Sequence, residues 1–403
     1  MPTMPASPGG FARAKGSSWK DALTWRRPPV PGCARSAMPD YGRCGPCRRA
    51  PGSSPSRPMG WFRRGRVSLG LDVGSRYLKV VQMSHARQAP EVSRIAMRAL
   101  TKGGDDVHAG TSVVEAVVQL FRDSGLKQRG VVTGVAGHGV IAKRIELERM
   151  KPSELREVIR WEAEQHLPFD TASVELDFQI LTPGDPMDVL LVAAKRDLVH
   201  EATEVVRTAG LAVEVLDVDG FALRNALIHN HPEAAEGVVM AADIGWETTT
   251  MVVVEEGIPA VTRDFHFGVR SLCKAAQRET GLGARSTEAM IRGQRVSPGL
   301  QAVIESAADE MALGLGRASA FLKTRSADLG LGRVYLSGGG ARIPGLAEAL
   351  GRILSVETHV ANPFERIPVR PDACVDVELE EVSPMLLLPV GLALRSMPRG
   401  RDR

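Results

Sequence analysis

Two aspartates in this 403-residue chain each stand two positions before a glycine and each end an apolar run. They are Asp72 with Gly74 and Asp243 with Gly245. Aliphatic residues resume after both pairs, which predicts a strand, a tight turn and a second strand at each place. A third turn, Gly338–Gly340, follows another apolar run and precedes a helical pattern.

These residue types suit a magnesium-bound polyphosphate. Glycine lets backbone N–H groups approach phosphate closely, and carboxylates hold magnesium through its waters. Hydroxyls at Ser75, Thr248 and Thr249 can donate to phosphate oxygens. Taken alone, each Asp-x-Gly is typical of an ordinary hairpin, and the glycine run is typical of a flexible connection. The prediction of a phosphate site therefore depends on all three occurring together.

The order and approximate spacing of the three turns resemble the phosphate-1, phosphate-2 and adenosine motifs of the superfamily that contains actin, the heat-shock chaperone ATPases and the sugar kinases. The resemblance implies an α/β actin-like ATPase fold with two RNase H-like domains and ATP with Mg²⁺ as cofactors, the metal being held by Asp72 and Asp243. The predicted cofactor-binding residues are Asp72, Gly74, Ser75, Lys79, Asp243, Gly245, Thr248, Thr249, Glu288, Gly338, Gly339, Gly340 and Arg342.

Four further segments resemble the PilM family, the actin-like proteins of type IV pilus assembly: 160–170, 216–223, 361–364 and 385–396. The similarity runs from about Met59 to about Arg395. It implies a cytoplasmic protein at the inner face of the inner membrane that binds the N-terminal cytoplasmic peptide of a PilN-like membrane protein. Pilus assembly ATPases and the platform protein are further candidate partners, and nucleic acid is not expected.

The same resemblance implies a domain organisation. The first actin-like domain, 1A, covers 59–132 and 216–236, and an insert subdomain of the 1C type covers 133–215. The second domain covers 237–379, and 380–403 returns to 1A and forms the tail.

Asp217 and Asp219 match the segment that connects the two domains in the superfamily, where an acid can order the attacking water. They are predicted as catalytic, although one of them could equally cap a helix. We expect ATP hydrolysis to be slow or absent.

One position departs from the superfamily. Its members usually place Glu and Lys three residues apart on a helix to hold the ribose and adenine. If Glu288 is the acid here, Ile291 occupies the lysine position; if Arg292 is the base, Ala289 occupies the acid position. The sequence therefore does not predict which nucleotide base is preferred.

The insert carries the predicted partner site. Residues 152–167 predict an amphipathic helix ended by Pro168. A groove between this insert and the first domain is predicted to bind the partner peptide through Trp161, Leu167 and Phe169, because aromatic residues dominate such interfaces. Alternatively, the apolar helix face at Leu155 and Ile159 packs inside the insert.

Charge is unevenly distributed. The formal net charge is +4, but residues 1–58 carry +8 and the remainder −4, which argues against nucleic-acid binding. Residues 1–58 also hold 11 of the 26 prolines and lack periodicity, so we expect disorder or an incorrectly assigned start codon. Deletion up to Met59 is expected to leave the melting temperature unchanged. The apolar stretch Met385–Leu394 is too short to span a membrane.

Two other functions fit parts of the sequence. A phosphotransferase of the sugar or acetate kinase branch would share the phosphate turns but needs a substrate cleft with a catalytic base. An FtsA-like division protein is disfavoured by the tail, because Ser396–Arg403 is not an amphipathic membrane helix.

Overall fold

The computed structural model of the chain describes residues 67–87, 89–100, 112–292, 298–320 and 330–395. The predicted disordered segment 1–58 and the tail after Arg395 lie outside the described residues.

A six-stranded sheet forms the first domain. It begins with an antiparallel meander, β1 (Val67–Val73), β2 (Tyr77–Arg87) and β3 (Ala89–Ala99), to which β4 (Gly130–Val135), β8 (Ala212–Val218) and β14 (Cys374–Val375) are added. The strand order is β14-β3-β2-β1-β4-β8. β4 pairs parallel to β1, and β8 pairs parallel to β4.

A five-stranded sheet forms the second domain with the same plan. Its meander is β9 (Val238–Ile244), β10 (Thr249–Glu255) and β11 (Ile258–Phe265), followed by β12 (Arg333–Ser337) and β13 (Glu357–Val360). The order β11-β10-β9-β12-β13 repeats the order β3-β2-β1-β4-β8 of the first sheet. The chain therefore contains two copies of one α/β unit, as the predicted fold requires.

The helices connect these strands and cover the sheets. They are α1 (Val113–Asp123), α2 (Pro152–His166), α3 (Arg196–Thr208), α4 (Asp219–Asn230), α5 (Val269–Thr280), α6 (Ala284–Ile291), α7 (Pro298–Ala320), α8 (Leu346–Leu354), α9 (Leu379–Val382) and α10 (Leu387–Arg395).

Helices α4 and α10 hold the two sheets together. Buried residues of both helices share one core with strand residues of both domains, among them Val132 and Val239. The helices approach closely because Gly391 has no side chain: a Cβ there would lie 1.8 Å from the carbonyl oxygen of Ala222. A Cβ on Gly70 would similarly lie 2.1 Å from the carbonyl oxygen of Pro389, so α10 also lies directly against β1.

The insert is a separate three-stranded sheet, β5 (Val140–Leu147), β7 (Met187–Lys195) and β6 (Val174–Thr182), in the order β5-β7-β6. One face is covered by α2, and the other packs on the first domain through a cluster that includes Leu190, Leu216 and Phe221. The predicted insert boundaries 133 and 215 fall inside β4 and β8, both of which belong to the six-stranded sheet.

The apolar face of α2 is not free for a partner. Leu155, Ile159 and Ala163 are buried against the insert sheet, which is the alternative that the sequence left open. Periodicity identifies the apolar face of a helix but not the surface that covers it.

Within the described ranges, no helix combines the length and apolarity needed to cross a membrane.

Candidate functional site

Two equivalent hairpins face each other across a cleft between the domains. Asp72 is the last but one residue of β1 and pairs with Lys79 of β2, while Asp243 is the last but one residue of β9 and pairs with Thr250 of β10. In the second hairpin the N–H of Gly245 donates to the Thr248 carbonyl at 2.9 Å.

Glycine is required at both tips by the path of the chain. A Cβ on Gly74 would lie 2.9 Å from the Tyr77 carbonyl oxygen, and a Cβ on Gly245 would lie 2.7 Å from that of Thr248. Both hairpins line a cleft of about 580 Å³, which is within the usual range for ligand sites.

The glycine-rich turn closes the third side of the cleft. Gly338 has a φ of +83°, a left-handed conformation that favours glycine, and a Cβ there would collide with the backbone of Ile244. Gly338, Gly339 and Arg342 line the cleft. Directly before this turn, the hydroxyl of Ser337 donates to Asp243 Oδ1 at 2.7 Å and orients that carboxylate.

Carboxylates concentrate at the inner end of the cleft. Asp72, Asp219 and Asp243 line it together with one ammonium group, Lys79, which donates to Asp72 Oδ2. Burial alone would lower the pKa of Lys79, but the carboxylates of Asp72 and Asp243 outweigh burial and raise it. Burial raises the pKa of Asp243, and Lys79 and Ser337 offset part of that rise.

The carboxylate of Asp219 lacks a hydrogen-bond partner for one of its oxygens. Asp219 begins α4, and this oxygen, Oδ1, is buried. Burial, followed by the charges of Asp72, Asp264 and Asp243, raises the pKa of Asp219 well above the ordinary value. Gly134 leaves the space that this carboxylate occupies, since a Cβ there would lie 1.7 Å from Oδ1.

This end of the cleft fits a hydrated divalent cation. Three carboxylates face one ammonium, and one carboxylate oxygen is buried and unsatisfied, so a cation would relieve an existing charge imbalance. Among the residues that the structure describes, no three acidic, histidine or cysteine side chains converge to ligate a metal directly. Binding through waters, as magnesium prefers, agrees with both observations.

Three arginines also line the cleft, Arg76, Arg292 and Arg342, together with Glu201 and Glu247. Arg76 Nη2 lies 2.5 Å from Glu288 Oε1 across the cleft, and Arg292 pairs with the same oxygen. The guanidinium carbon of Arg76 lies 3.8 Å from the centre of the Trp246 ring.

Most predicted cofactor-binding residues meet at this cleft. Those that line it are Asp72, Gly74, Ser75, Lys79, Asp243, Gly245, Thr248, Gly338, Gly339 and Arg342. Glu288 does not line the cleft but pairs with two residues that do, Arg76 and Arg292.

Three predicted residues point elsewhere. The hydroxyl of Thr249 is buried and donates to the Phe267 carbonyl at 2.8 Å, while the next residue, Thr250, faces the cleft because strand side chains alternate. Gly340 packs against Ile244. Asp217 is buried in an ion pair with Arg395 at 3.1 Å, so of the predicted catalytic pair Asp219 alone faces the cleft.

The three predicted partner-contact residues differ in exposure. Trp161 on α2 is 71% exposed, an unusual position for a tryptophan. Leu167 is buried in the core of the insert. Phe169 is half-buried, with the ammonium of Lys195 4.5 Å from its ring centre.

Sequence reasoning missed several residues in or beside the cleft. Arg76 lies two residues after Gly74 and Trp246 directly after Gly245, and this proximity to the predicted glycines is the signal that could have identified them. Thr250 and Asp264 hydrogen-bond to each other at 2.6 Å, and Asp264 also accepts from the N–H of Gly137 in the first domain at 2.7 Å. No local pattern marks Asp264.

Comparison with known proteins places this geometry in context. Residues 70–397 match a family described as "Type IV pilus assembly protein PilM". The solved "PilM-PilN type IV pilus biogenesis complex" is similar over 82% of this chain and 98% of that chain, with 29% identity and a TM-score of 0.69. The ethanolamine utilization protein EutJ from Carboxydothermus hydrogenoformans is similar over 82% and 90% of the two chains, with 19% identity and a TM-score of 0.49.

Proposed function

This chain belongs to the PilM family of type IV pilus assembly proteins, and we propose that it is an ATP-binding scaffold that captures the cytoplasmic N-terminal peptide of a PilN-like membrane protein. It would act at the cytoplasmic face of the inner membrane, held there by that partner.

The charge distribution of the cleft is the observation that supports nucleotide binding most strongly. Three carboxylates and Lys79 line its inner end, and three arginines line the cleft as well, two of which pair with Glu288. A magnesium-bound polyphosphate carries the complementary arrangement, a divalent cation at one end and anionic oxygens along its length. Backbone N–H groups of the Gly74, Gly245 and Gly338 turns would approach the phosphates.

The residues at the inner end would orient the metal. Asp72 and Asp243 would accept hydrogen bonds from its waters, and bound magnesium would supply charge stabilisation for the phosphates. Asp219 would help to order a water near the terminal phosphate. Burial and the neighbouring carboxylates raise the pKa of the Asp219 carboxyl, and a bound cation would offset that charge crowding.

The nucleotide assignment is tested with Asp243→Asn. Asparagine keeps an acceptor for Ser337 and nearly the same volume but removes the negative charge, so the fold should persist. Calorimetry should show magnesium-ATP affinity reduced about 10-fold or more, because about 1.4 kcal/mol of charge interaction corresponds to a factor of ten.

Asp123→Asn is the matched control, since Asp123 is an exposed aspartate at the end of α1 that pairs with Arg98. It should bind as the wild type does. Unchanged magnesium-ATP affinity in Asp243→Asn would refute the assignment of this carboxylate. A turnover of roughly 10 per second would instead indicate a phosphotransferase.

The partner assignment is supported by family membership and by the exposed aromatic of the insert. The similar solved structure is of a PilM–PilN complex. Burying an exposed tryptophan recovers a large apolar area, and tryptophan is frequent among the residues that dominate binding energy. Trp161 and Phe169 are therefore the proposed contacts, whereas Leu167 supports them from the core.

The double variant Trp161→Ala/Phe169→Ala tests this contact. It should lose pull-down of a synthetic N-terminal peptide of the PilN-like protein while it retains magnesium-ATP binding. Leu313→Ala is the control, because Leu313 is 65% exposed but lies on α7 of the second domain. Full capture by the double variant would remove this surface from consideration.

A further inference from the structure

Arg76 connects three elements across the cleft. It follows the first phosphate turn in the first domain, pairs with Glu288 on α6 of the second domain, and stacks on Trp246 of the second phosphate turn. The residue is only 8% exposed. This partly buried ion pair links the two domains at the cleft.

Arg76 also supplies a charge that α6 lacks. At the position where the superfamily places a lysine three residues after the acid, this chain has Ile291, which is buried in the core of the second domain. The cations that meet Glu288 are Arg292, one turn later on the same helix, and Arg76 from the opposite domain. The acid of the base-binding helix is therefore tied to the phosphate turn.

One donor of Arg76 is left without a partner. Its Nε is buried and makes no hydrogen bond, although Nη2 is engaged by Glu288. A buried donor on a charged group that lacks an acceptor destabilises the site, and an acceptor from a ligand would remove that cost. The side chain lines the cleft beside Gly74 and Ser75, so a small rotation of the guanidinium would present Nε to a phosphate oxygen.

We propose that Arg76 is a positioning and specificity residue for the nucleotide: Nε donates to a phosphate oxygen while Nη2 keeps its pair with Glu288. This inference rests on the proposed nucleotide-binding function. The same guanidinium then contacts the phosphate and links the first domain to α6 of the second domain. Arg76 accordingly favours nucleotides over nucleosides and slows their release.

The test compares ligands with and without phosphate on Arg76→Gln. Magnesium-ATP should bind about 10- to 100-fold more weakly, the loss expected for one hydrogen bond to a charged group. Its dissociation, followed with a fluorescent ATP analogue, should be correspondingly faster. Adenosine affinity should be unchanged, and inorganic tripolyphosphate should weaken as ATP does. Arg98→Gln is the control, at a half-buried arginine that pairs with Asp123 and does not line the cleft.

Two further variants separate positioning from a structural role. Arg76→Lys keeps the charge but removes the planar fork, so ATP affinity should be intermediate. Glu288→Gln releases the guanidinium from the other side and should speed ATP release, and its effect should not add to that of Arg76→Gln.

Equal weakening of adenosine and ATP in Arg76→Gln would overturn the inference, because it would show that Arg76 only supports the cleft wall. Unchanged tripolyphosphate binding would also overturn it. Failure of the wild-type protein to bind ATP, tripolyphosphate or adenosine would refute the proposed function itself and the inference with it. If Arg76→Gln does not fold, the ATP release rate of Glu288→Gln decides: release as slow as in the wild type refutes the coupling.

Discussion

Two aspartates close together in sequence have different surroundings. Asp217, the last but one residue of β8, is neutralised by Arg395 in the interior, whereas Asp219 begins α4 and faces the cleft. Burial raises the pKa of both, but Arg395 counteracts it for Asp217 while neighbouring carboxylates add to it for Asp219. The uncompensated negative charge around Asp219 favours binding of a cation there. Asp217 has a structural role, because its charge is already paired with Arg395.

Asp177 gives a prediction at the residue scale. Its Oδ2 is buried without a hydrogen-bond partner, and burial raises the pKa from 3.8 to about 6, despite the N–H of Phe178 and the charges of Arg156 and Arg395. Because the folded-state pKa exceeds the unfolded value, ionised Asp177 costs stability above pH 6, and that cost disappears as the pH falls to about 4.

Asp177→Asn should therefore be more stable than the wild type at about pH 8, with the difference shrinking between pH 6 and about pH 4. Urea unfolding across this range measures it, with the exposed Asp123→Asn as control. A difference that does not vary with pH would show that the charge of Asp177 is not the cause.

At the scale of elements, α10 packs closely against a helix and a strand. It lies against α4 through Gly391 and against β1 through Gly70, and it carries Arg395 to its ion pair with Asp217. This helix therefore links the sheet that carries Asp72 to the helix that carries Asp219. Its packing determines how far apart these two carboxylates lie.

Gly391→Ala tests that packing. The added methyl group would lie 1.8 Å from the Ala222 carbonyl, so the helices must separate, at a cost of about 1–3 kcal/mol or more. The control is Gly316→Ala, also in a helix, where a Cβ would meet no atom within 4 Å. That variant should gain up to about 1 kcal/mol from helix propensity. Denaturant midpoints compare the two, and equal midpoints would contradict this account of the helix crossing.

At the scale of the molecule, two copies of one fold unit enclose the cleft. Contacts that cross between them include Arg76 with Glu288 and the N–H of Gly137 with Asp264. The insert touches the second domain as well, since Arg144 lies 4.0 Å from Glu255. A ligand in the cleft would contact both domains and so stabilise their arrangement.

Magnesium-ATP should therefore raise the melting temperature in a concentration-dependent manner. A ligand that binds the folded state alone adds about 2.7 kcal/mol at 100 times its Kd. Differential scanning calorimetry should show the shift in the wild type and a smaller one in Asp243→Asn at the same concentration. Equal shifts in the two proteins would mean that ATP stabilises the chain from another site.

The sequence alone determined the features that depend on near neighbours in the chain. Asp72 with Gly74 and Asp243 with Gly245 could be predicted as hairpin tips, because the turn geometry arises within a few residues. The two-domain α/β fold is confirmed, and it followed from the order of these turns together with the family resemblance. The apolar face of α2 could also be predicted, from the helical spacing of its apolar residues.

Only the tertiary structure decided which side chains meet. Arg76 and Glu288 are 212 positions apart, so no local pattern relates them. Thr250 lines the cleft and Thr249 does not, because the strand turns the side chain of Thr250 toward it. Asp219 lines the cleft, whereas Asp217 is paired with Arg395 in the interior. Burial and charge pairing are properties of the folded surroundings, and residues distant in sequence supply them.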